Sequence, residues 1–490
     1  MLKVGNNLKA SYIYIAVFII AAGLYVATCA PGALWQDSGM YQYRIRHNDI
    51  EGKLGLALSH PLYHIIGIGV KHIRLGEFAY RINLISAIAA AFTIANLFLL
   101  LRLWLGRILP TVIAAATLAL SHTFWRHAVI AETYTLYTAL LLAELLMLLQ
   151  YFKTKRTVFL YLLGLFNGLA IANHMFAVIA LVCYLVFLIV LLARRQIRLG
   201  QFGIIVVLWI IGAAPYGYLI GKNIIQSGSF TATVASAFFG KSWQGNVLNV
   251  SLSAGLIKEN LIFLAYNFPT PNVIFFFVGL YGLKKISPAH SFANILLVLL
   301  ILFFVFAFRY TVPDRYAFFI PFYCLASVPI GVGVNLLIAQ YNSKILCLVI
   351  LILSLLPIPT YIIAPAVAQK QKFDLSTRAD VPRRNDYVWF LQPWKAGYSG
   401  AEKFAEEVFE KLEPDAVAYA DNTMVYPLLY MQEVKGKRAD IKIISEYAGS
   451  EGVPLLSEKT IEQWLSEGDV YAVSPIAGHK GKGIVWKIVD

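Results

Sequence analysis

The feature that most constrains this chain is a succession of long apolar runs between Tyr12 and about residue 364, from which acidic residues are almost excluded. Eight acids occur in that stretch. When the runs are threaded alternately through a bilayer, Asp37, Asp49, Glu51, Glu77, Glu132, Glu259 and Asp314 all fall in connections on one side. Only Glu144 sits inside a run. A helix needs about 20 apolar residues to cross the hydrocarbon core, and a helix satisfies its own backbone there. The pattern therefore predicts an all-α polytopic membrane protein of about eleven transmembrane helices. The eleven spans begin near Tyr12, Tyr80, Ile108, Tyr134, Thr157, Met175, Phe202, Leu261, Ser291, Tyr316 and Ile345.

Basic residues orient these spans. With the N-terminus inside, the inner connections hold Arg102 and Arg107; Lys153, Lys155 and Arg156; Arg194, Arg195 and Arg198; Lys284 and Lys285; and Lys344, with no acid among them. The outer segments are then roughly 31–79, 121–133, 172–174, 222–260, 309–315 and 365–490. The first outer segment is a partial exception, because Arg44, Arg46, Lys53, Lys71 and Arg74 share it with four acids. Lys3 and Lys9 precede the run Tyr12–Ala30, which is long enough to be a retained anchor rather than a cleaved leader. The expected location is the plasma (inner) membrane, with the N-terminus cytoplasmic and the C-terminal part extracytoplasmic.

The net charge of +14 does not point to nucleic acid. Residues 1–364 carry a balance of +17 and residues 365–490 one of −3, so the positive charge belongs to the membrane part, and no basic stripe with interleaved aromatics occurs. Cys29, Cys183, Cys324 and Cys347 lie in or beside apolar runs without pairing or metal-ligand spacing, and read as small packing residues.

After residue 365 charges become frequent. Ala401–Leu412 reads as an amphipathic helix with Phe404, Val408, Phe409 and Leu412 on one face. Ala416–Ala420, Ile441–Ile444, Val470–Val473 and Ile484–Val489 read as strands, and Thr460–Ser466 as a helix. Asp421-Asn422-Thr423 is placed to cap a helix running through Tyr430. The expectation is a membrane domain over 1–364 followed by a small α/β domain over 365–490.

Polar groups cluster at the outer connections. Asp37, in Trp35-Gln36-Asp37-Ser38-Gly39, follows the first span; there a carboxylate can act as general base on a hydroxyl, or simply cap a loop helix. In Ser59-His60-Pro61-Leu62-Tyr63-His64, Pro61 suits the first position of a new helix. His60 and His64 then lie one turn apart, as phosphate or proton carriers or as satisfied interfacial histidines. Arg126 and His127 suit phosphate recognition and Glu132 a divalent metal or an orienting role, against an Arg–Glu pair fixing two helix ends. Asn173-His174 is a polar pair between two runs, and Arg309 and Arg315 flank Asp314 in a short connection where a guanidinium fork matches phosphate oxygens.

These residues carry a family resemblance. Trp35 to Gly39, His60-Pro61, Phe124-Trp125 through Glu132-Thr133-Tyr134, Gly168-Leu169-Ala170 with Asn173-His174, and Tyr310 through Asp314 resemble the DUF2723 membrane family. So do Asp421-Asn422-Thr423, Tyr430-Met431-Gln432 and Arg438-Ala439-Asp440 in the tail. That family is similar to the protein O-mannosyltransferase-like enzymes of the GT-C glycosyltransferase fold. The resemblance implies a GT-C-like fold and transfer of a sugar from a polyprenyl-phosphate donor to a hydroxyl on a protein, lipid or polysaccharide, at the extracytoplasmic face. It implies Asp37 as the catalytic aspartate, which would take the acceptor proton; Glu132 is the second catalytic candidate, able to support a divalent metal. His60, Arg126, His127, His174, Arg309, Tyr310, Asp314 and Arg315 are the substrate-binding candidates. No Asp-x-Asp pair accompanies Glu132, so the metal set is undefined. The chain departs from the family at Met40, where an acid often follows Asp-Ser-Gly, and in a His-Pro turn less rich in Pro and Gly. The other readings are a transporter or flippase of a lipid-linked or anionic solute, and an inactive assembly protein.

Overall fold

The computed structural model describes residues 2–74, 76–240, 244–286, 290–312, 314–375, 381–445, 469–474 and 483–488. The chain begins with α1 (Leu2–Thr28), then two short helices in the first connection, α2 (Gln36–Arg46) and α3 (Pro61–Lys71). The first bundle is α4 (Phe78–Leu105), α5 (Ile108–Ala119), α6 (His122–Ala128), α7 (Tyr134–Thr154), α8 (Val158–Asn173), α9 (Ala177–Ala193) and α10 (Leu199–Ser227). Three helices follow in the long connection, α11 (Phe230–Phe239), α12 (Gln244–Val247) and α13 (Ala254–Asn267). The second bundle is α14 (Ile274–Ile286), α15 (His290–Arg309), α16 (Ile320–Tyr341), α17 (Lys344–Leu353) and α18 (Pro357–Lys370).

Among the described residues six helices or joined helices are long and apolar enough to cross a membrane. Two further pairs qualify as broken spans, α5 with α6 bent by 69°, and α13 with the segment Pro271–Lys285 bent by 110°. The apolar stretches Tyr12–Thr28, α8, α9 and α11 are shorter. By length and apolarity the described residues thus give six spans, or eight with each bent pair taken as one, where the sequence pattern predicts about eleven. The breaks have local causes. The α5–α6 bend lies at Leu120-Ser121, where the Ser121 hydroxyl donates back to the Leu118 carbonyl at 2.7 Å, and the α13 break falls at the Pro271 turn. Polar side chains tie the bundle inside the apolar region. Asn167 of α8 donates to Glu144 of α7 at 3.3 Å and accepts from Trp209 of α10 at 3.1 Å. That network houses the one acid found within a run.

The tail adds α19 (Asp386–Leu391), α20 (Gly400–Lys411) and α21 (Val425–Glu433) to strands β1 (Val417–Tyr419), β2 (Lys442–Ile444), β3 (Val470–Ala472) and β4 (Trp486–Ile488). The sheet order is β2-β1-β3-β4, with β1 parallel to β2 and β3, and β3 antiparallel to β4. The apolar face expected over 401–412 is buried at Phe404, Val408, Phe409 and Leu412. The Asp421 carboxylate accepts from the backbone of Thr423 and Met424 at 2.9 and 3.2 Å, just ahead of α21. The helix read over Thr460–Ser466 lies outside the described residues. The four cysteines are free.

Candidate active site

Tail and first connection build the site together. The Gln36 amide donates to the Thr423 carbonyl at 3.4 Å, the Ala33 amide to Glu402 at 2.9 Å, and the Trp35 indole to the Tyr398 hydroxyl. Gln36 itself has φ +53°, in the left-handed region, which turns the chain into α2 and sets Asp37 in its first turn. Gly39 is needed for this approach: a Cβ there would stand 2.4 Å from the Leu34 carbonyl oxygen and 2.7 Å from the Tyr426 Cβ. The rest of the connection is held by Arg44, buried in α2. Its guanidinium donates to the Leu58 and Ser59 carbonyls at 3.3 and 3.0 Å and lies 3.5 Å from Asp49. This fixes the chain just before His60, which has φ +48° and precedes Pro61, the first residue of α3.

A cavity of about 770 Å³ opens between these parts. Its lining includes residues from each of the six segments read as outer: Asp37 and His60, Glu132, His174, Phe238, Asp314 and Asn422 represent them in chain order. Its charged lining comprises the carboxylates Asp37, Glu132 and Asp314 and the cations Lys53 and Arg309. The apolar lining is drawn from many segments, with Ile179 of α9, Phe239 of α11 and Phe306 of α15 among it. A cavity of this size, largely apolar with a few polar groups, is the ordinary form of a small-molecule or cofactor site.

The carboxylates shape its electrostatics. Burial first, and then the neighbouring Asp314, push the Asp37 carboxyl up to about 7. Burial also raises Asp314. Glu132 is held well above the usual carboxylate range by burial and then by Asp37 and Asp314. Like charges in a dry site resist simultaneous ionisation. Asp37 has no hydrogen-bond or ion-pair partner among the described residues, so its oxygens face the cavity uncommitted. The histidines behave oppositely. Burial drives His60 down to about 4, against a hydrogen bond of its Nδ1 to the Asn173 carbonyl at 2.8 Å. His174, stacked on Phe176 with ring centroids 4.1 Å apart, is likewise lowered by burial and then by His60. Both are neutral near pH 7 and act as hydrogen-bonding groups, not as cations.

Seven of the sequence candidates line the cavity: Asp37, His60, Glu132, His174, Arg309, Tyr310 and Asp314. Arg126, His127 and Arg315 do not. Arg126 donates to the Trp389 carbonyl and lies over the Phe390 and Trp389 rings at 4.9 and 5.2 Å, pinning α6 to α19. His127 bonds the Thr123 carbonyl at 2.7 Å and sits between the Tyr134 and Tyr316 rings. Arg315 donates to Asn260 at 2.6 Å and pairs with Glu259. The three arginines therefore do not converge. Arg309 reaches the cavity while its Nη1 also donates to the Val247 and Asn249 carbonyls. His64 bonds the His60 carbonyl at 3.0 Å and stays outside the cavity lining. Sequence reasoning passed over Lys53, Tyr41 and Asn422. Lys53 is exposed at the cavity rim and makes no hydrogen bond or ion pair with described residues. Among the described residues no group of three or more His, Cys, Asp or Glu is arranged to hold a metal ion, so Glu132 has no preformed ligand set around it.

Residues 57–197 match the family model described as the N-terminal domain of protein O-mannosyl-transferase TMEM260. No curated protein matches the sequence. Among solved structures, the chain is similar to ArnT from Cupriavidus metallidurans in the apo state. There the identity is 14%, the TM-score is 0.61, and 96% of this chain and 93% of that one are covered. It is also similar to the same protein bound to undecaprenyl phosphate, with 12% identity, a TM-score of 0.57 and coverage of 96% and 92%. The chain is thus a multi-helix membrane protein with the GT-C-type fold of ArnT, and its residues 57–197 match a protein O-mannosyl-transferase domain.

Proposed function

We propose that this protein is a membrane glycosyltransferase that moves a sugar from a polyprenyl-phosphate donor to a hydroxyl acceptor on the extracytoplasmic side. The observation that carries this reading is the cavity itself: an uncommitted carboxylate, Asp37, lines it together with the cations Lys53 and Arg309, and much of the remaining lining is apolar. The bound lipid in the ArnT structure, undecaprenyl phosphate, supports the same donor class here. On this reading residues 1–364 form the transferase unit, 365–490 form an extracytoplasmic α/β unit, and the N-terminus is cytoplasmic. Membership of the DUF2723 family belongs to the same proposal.

The reaction follows from the groups present. The acceptor hydroxyl hydrogen-bonds to ionised Asp37, which takes its proton as the oxygen attacks the anomeric carbon. The bond from that carbon to the carrier phosphate oxygen breaks, and the phosphate leaves with the electron pair. Lys53 at the exposed rim and Arg309 in the cavity wall neutralise its growing charge. His60, His174, Tyr310 and Asn422 are placed to orient the sugar by neutral hydrogen bonds. Asp314 tunes the ionisation of Asp37, and Asp37 in turn helps to keep Glu132 protonated. The products are a glycosylated acceptor and polyprenyl phosphate.

The test is a glycan profile of cells lacking this chain. Loss of one sugar from one acceptor class, restored by the wild-type protein and not by Asp37→Asn, is the expected result. Full restoration by a well-expressed Asp37→Asn would replace catalysis with an assembly role.

A further inference from the structure

A second cavity of about 590 Å³ lies on the bundle surface between α3 and α4. Its lining is apolar, with Ile66 and Val70 from α3 and Ile88 and Phe92 from α4, except at one end, where Tyr80 and Arg81 of the first turn of α4 enter it. No Asp, Glu or His lines it, so it is not a second reaction site. Ile88 and Phe92 are exposed, so the groove opens sideways to the hydrocarbon.

Arg81 is the unusual group. Its side chain makes no hydrogen bond or ion pair among the described residues, and its Nε is buried without a partner. The nearest acid on its own helix turn, Glu77, is committed to Lys435 at 2.6 Å. A guanidinium at the mouth of an apolar groove is costly unless an anion meets it. The groove also has a length. From Arg81 to Phe92 the helix rises about 16 Å at 1.5 Å per residue, about half of a hydrocarbon core ~30 Å thick. That is the reach of one leaflet's acyl chain and is short for a polyprenyl chain.

We infer that this groove binds an anionic phospholipid of the surrounding leaflet, with its phosphate on Arg81 and one acyl chain along Ile88 and Phe92. The lipid fills the space beside α3, the helix that carries His60 at its start, and so supports the wall shared with the catalytic cavity. The inference does not depend on the transfer reaction.

The experiment uses the full chain in nanodiscs of phosphatidylcholine mixed with an equal part of phosphatidylglycerol, read by native mass spectrometry after release into detergent. Wild type is expected to retain one phosphatidylglycerol selectively. Arg81→Gln should lose that selectivity by about tenfold or more, as expected for a lost charged hydrogen bond, and Arg81→Lys should keep part of it. Ile88→Trp, which fills the groove from an exposed position and leaves Arg81 in place, should lose the adduct too. Equal retention by Arg81→Gln, or an undiminished adduct in Ile88→Trp, overturns the assignment. So does selective retention of added undecaprenyl phosphate in place of the phospholipid. Monodispersity of each variant separates loss of lipid from loss of fold.

Discussion

Asp37 gives the sharpest prediction because its environment sets both rate and stability. With its carboxyl pushed up to about 7, about a tenth of molecules carry the ionised base at pH 6 and about nine-tenths at pH 8. Transfer should rise roughly tenfold between those values if the ionised form is the base. Asp314 is the charged neighbour that contributes to this position. Asp314→Asn should therefore move the acid limb of the profile to lower pH, whatever it does to the maximal rate. Stability runs the other way. A carboxyl raised in the folded state gives its full stabilising contribution below its unfolded value near 3.8 and loses it as pH climbs through about 7. Holding the proton over that interval is worth at most about 4 kcal/mol, and solvent at a half-buried carboxyl reduces this to roughly 1–2 kcal/mol. Asp37→Asn, which mimics the protonated form, should then melt higher than wild type at pH 8 and match it near pH 4, while transfer falls by about 10²–10⁴-fold. The assay is transfer from a synthetic polyprenyl-phosphate sugar in detergent across pH 5.5–8.5, with thermal unfolding of the same samples. A flat profile for wild type, or an acid limb that Asp314→Asn leaves in place, would refute the argument.

Other outcomes follow from particular contacts. Lys53→Gln should weaken binding of the donor about tenfold with little change in folding, since a charged hydrogen bond contributes about 1.5–3 kcal/mol; equal affinity in a titration would remove Lys53 from the phosphate site. Arg126→Ala should instead lower the yield of folded protein, because that side chain joins α6 to α19, and size-exclusion profiles will show which occurs. Gly39→Ala should destabilise by about 1–3 kcal/mol, since its methyl must displace the Leu34 carbonyl or Tyr426. A variant melting like wild type would show that α21 can move. Cysteine labelling of intact cells, with native cysteines removed, should reach position 410, exposed on α20, and miss positions 155 and 195; the reverse pattern would put the cavity on the other face.

Much of the architecture was legible because its signals are local. Charge exclusion marks the apolar runs, amphipathy marks α20, and Pro61 marks the start of α3. Asp37 was legible as the first acid after the first run. Lys53 was not, because in sequence it is one of five basic residues in a loop where it registers only as an exception to the orientation rule. Asn422 reached the cavity only through the packing of α21 on α2, and no local pattern encodes that contact. Arg126 and Arg315 show the opposite failure. Their residue type suits phosphate, but tertiary packing gave them other partners, an aromatic pair in one case and Glu259 with Asn260 in the other. The α13 break and the length of α10, with Pro215 inside it, were obscured because neighbouring helices, not propensity, stabilise such segments.

The docking of the tail against Gly32–Gln36 has a consequence for the order in which the protein matures. Asp37 is made early, but the loop that closes its cavity is made almost four hundred residues later, and the contacts from Tyr398, Glu402 and Thr423 all come from that late stretch. Until the late segment docks, the cavity lacks the Asn422 wall and stays open to water. A half-made chain in the membrane therefore holds Asp37 in a wet, incomplete cleft, without the burial that raises its carboxyl. Under the proposed function, competence comes with completion, and an unfinished or misfolded copy is kept from spending lipid-linked sugar on water.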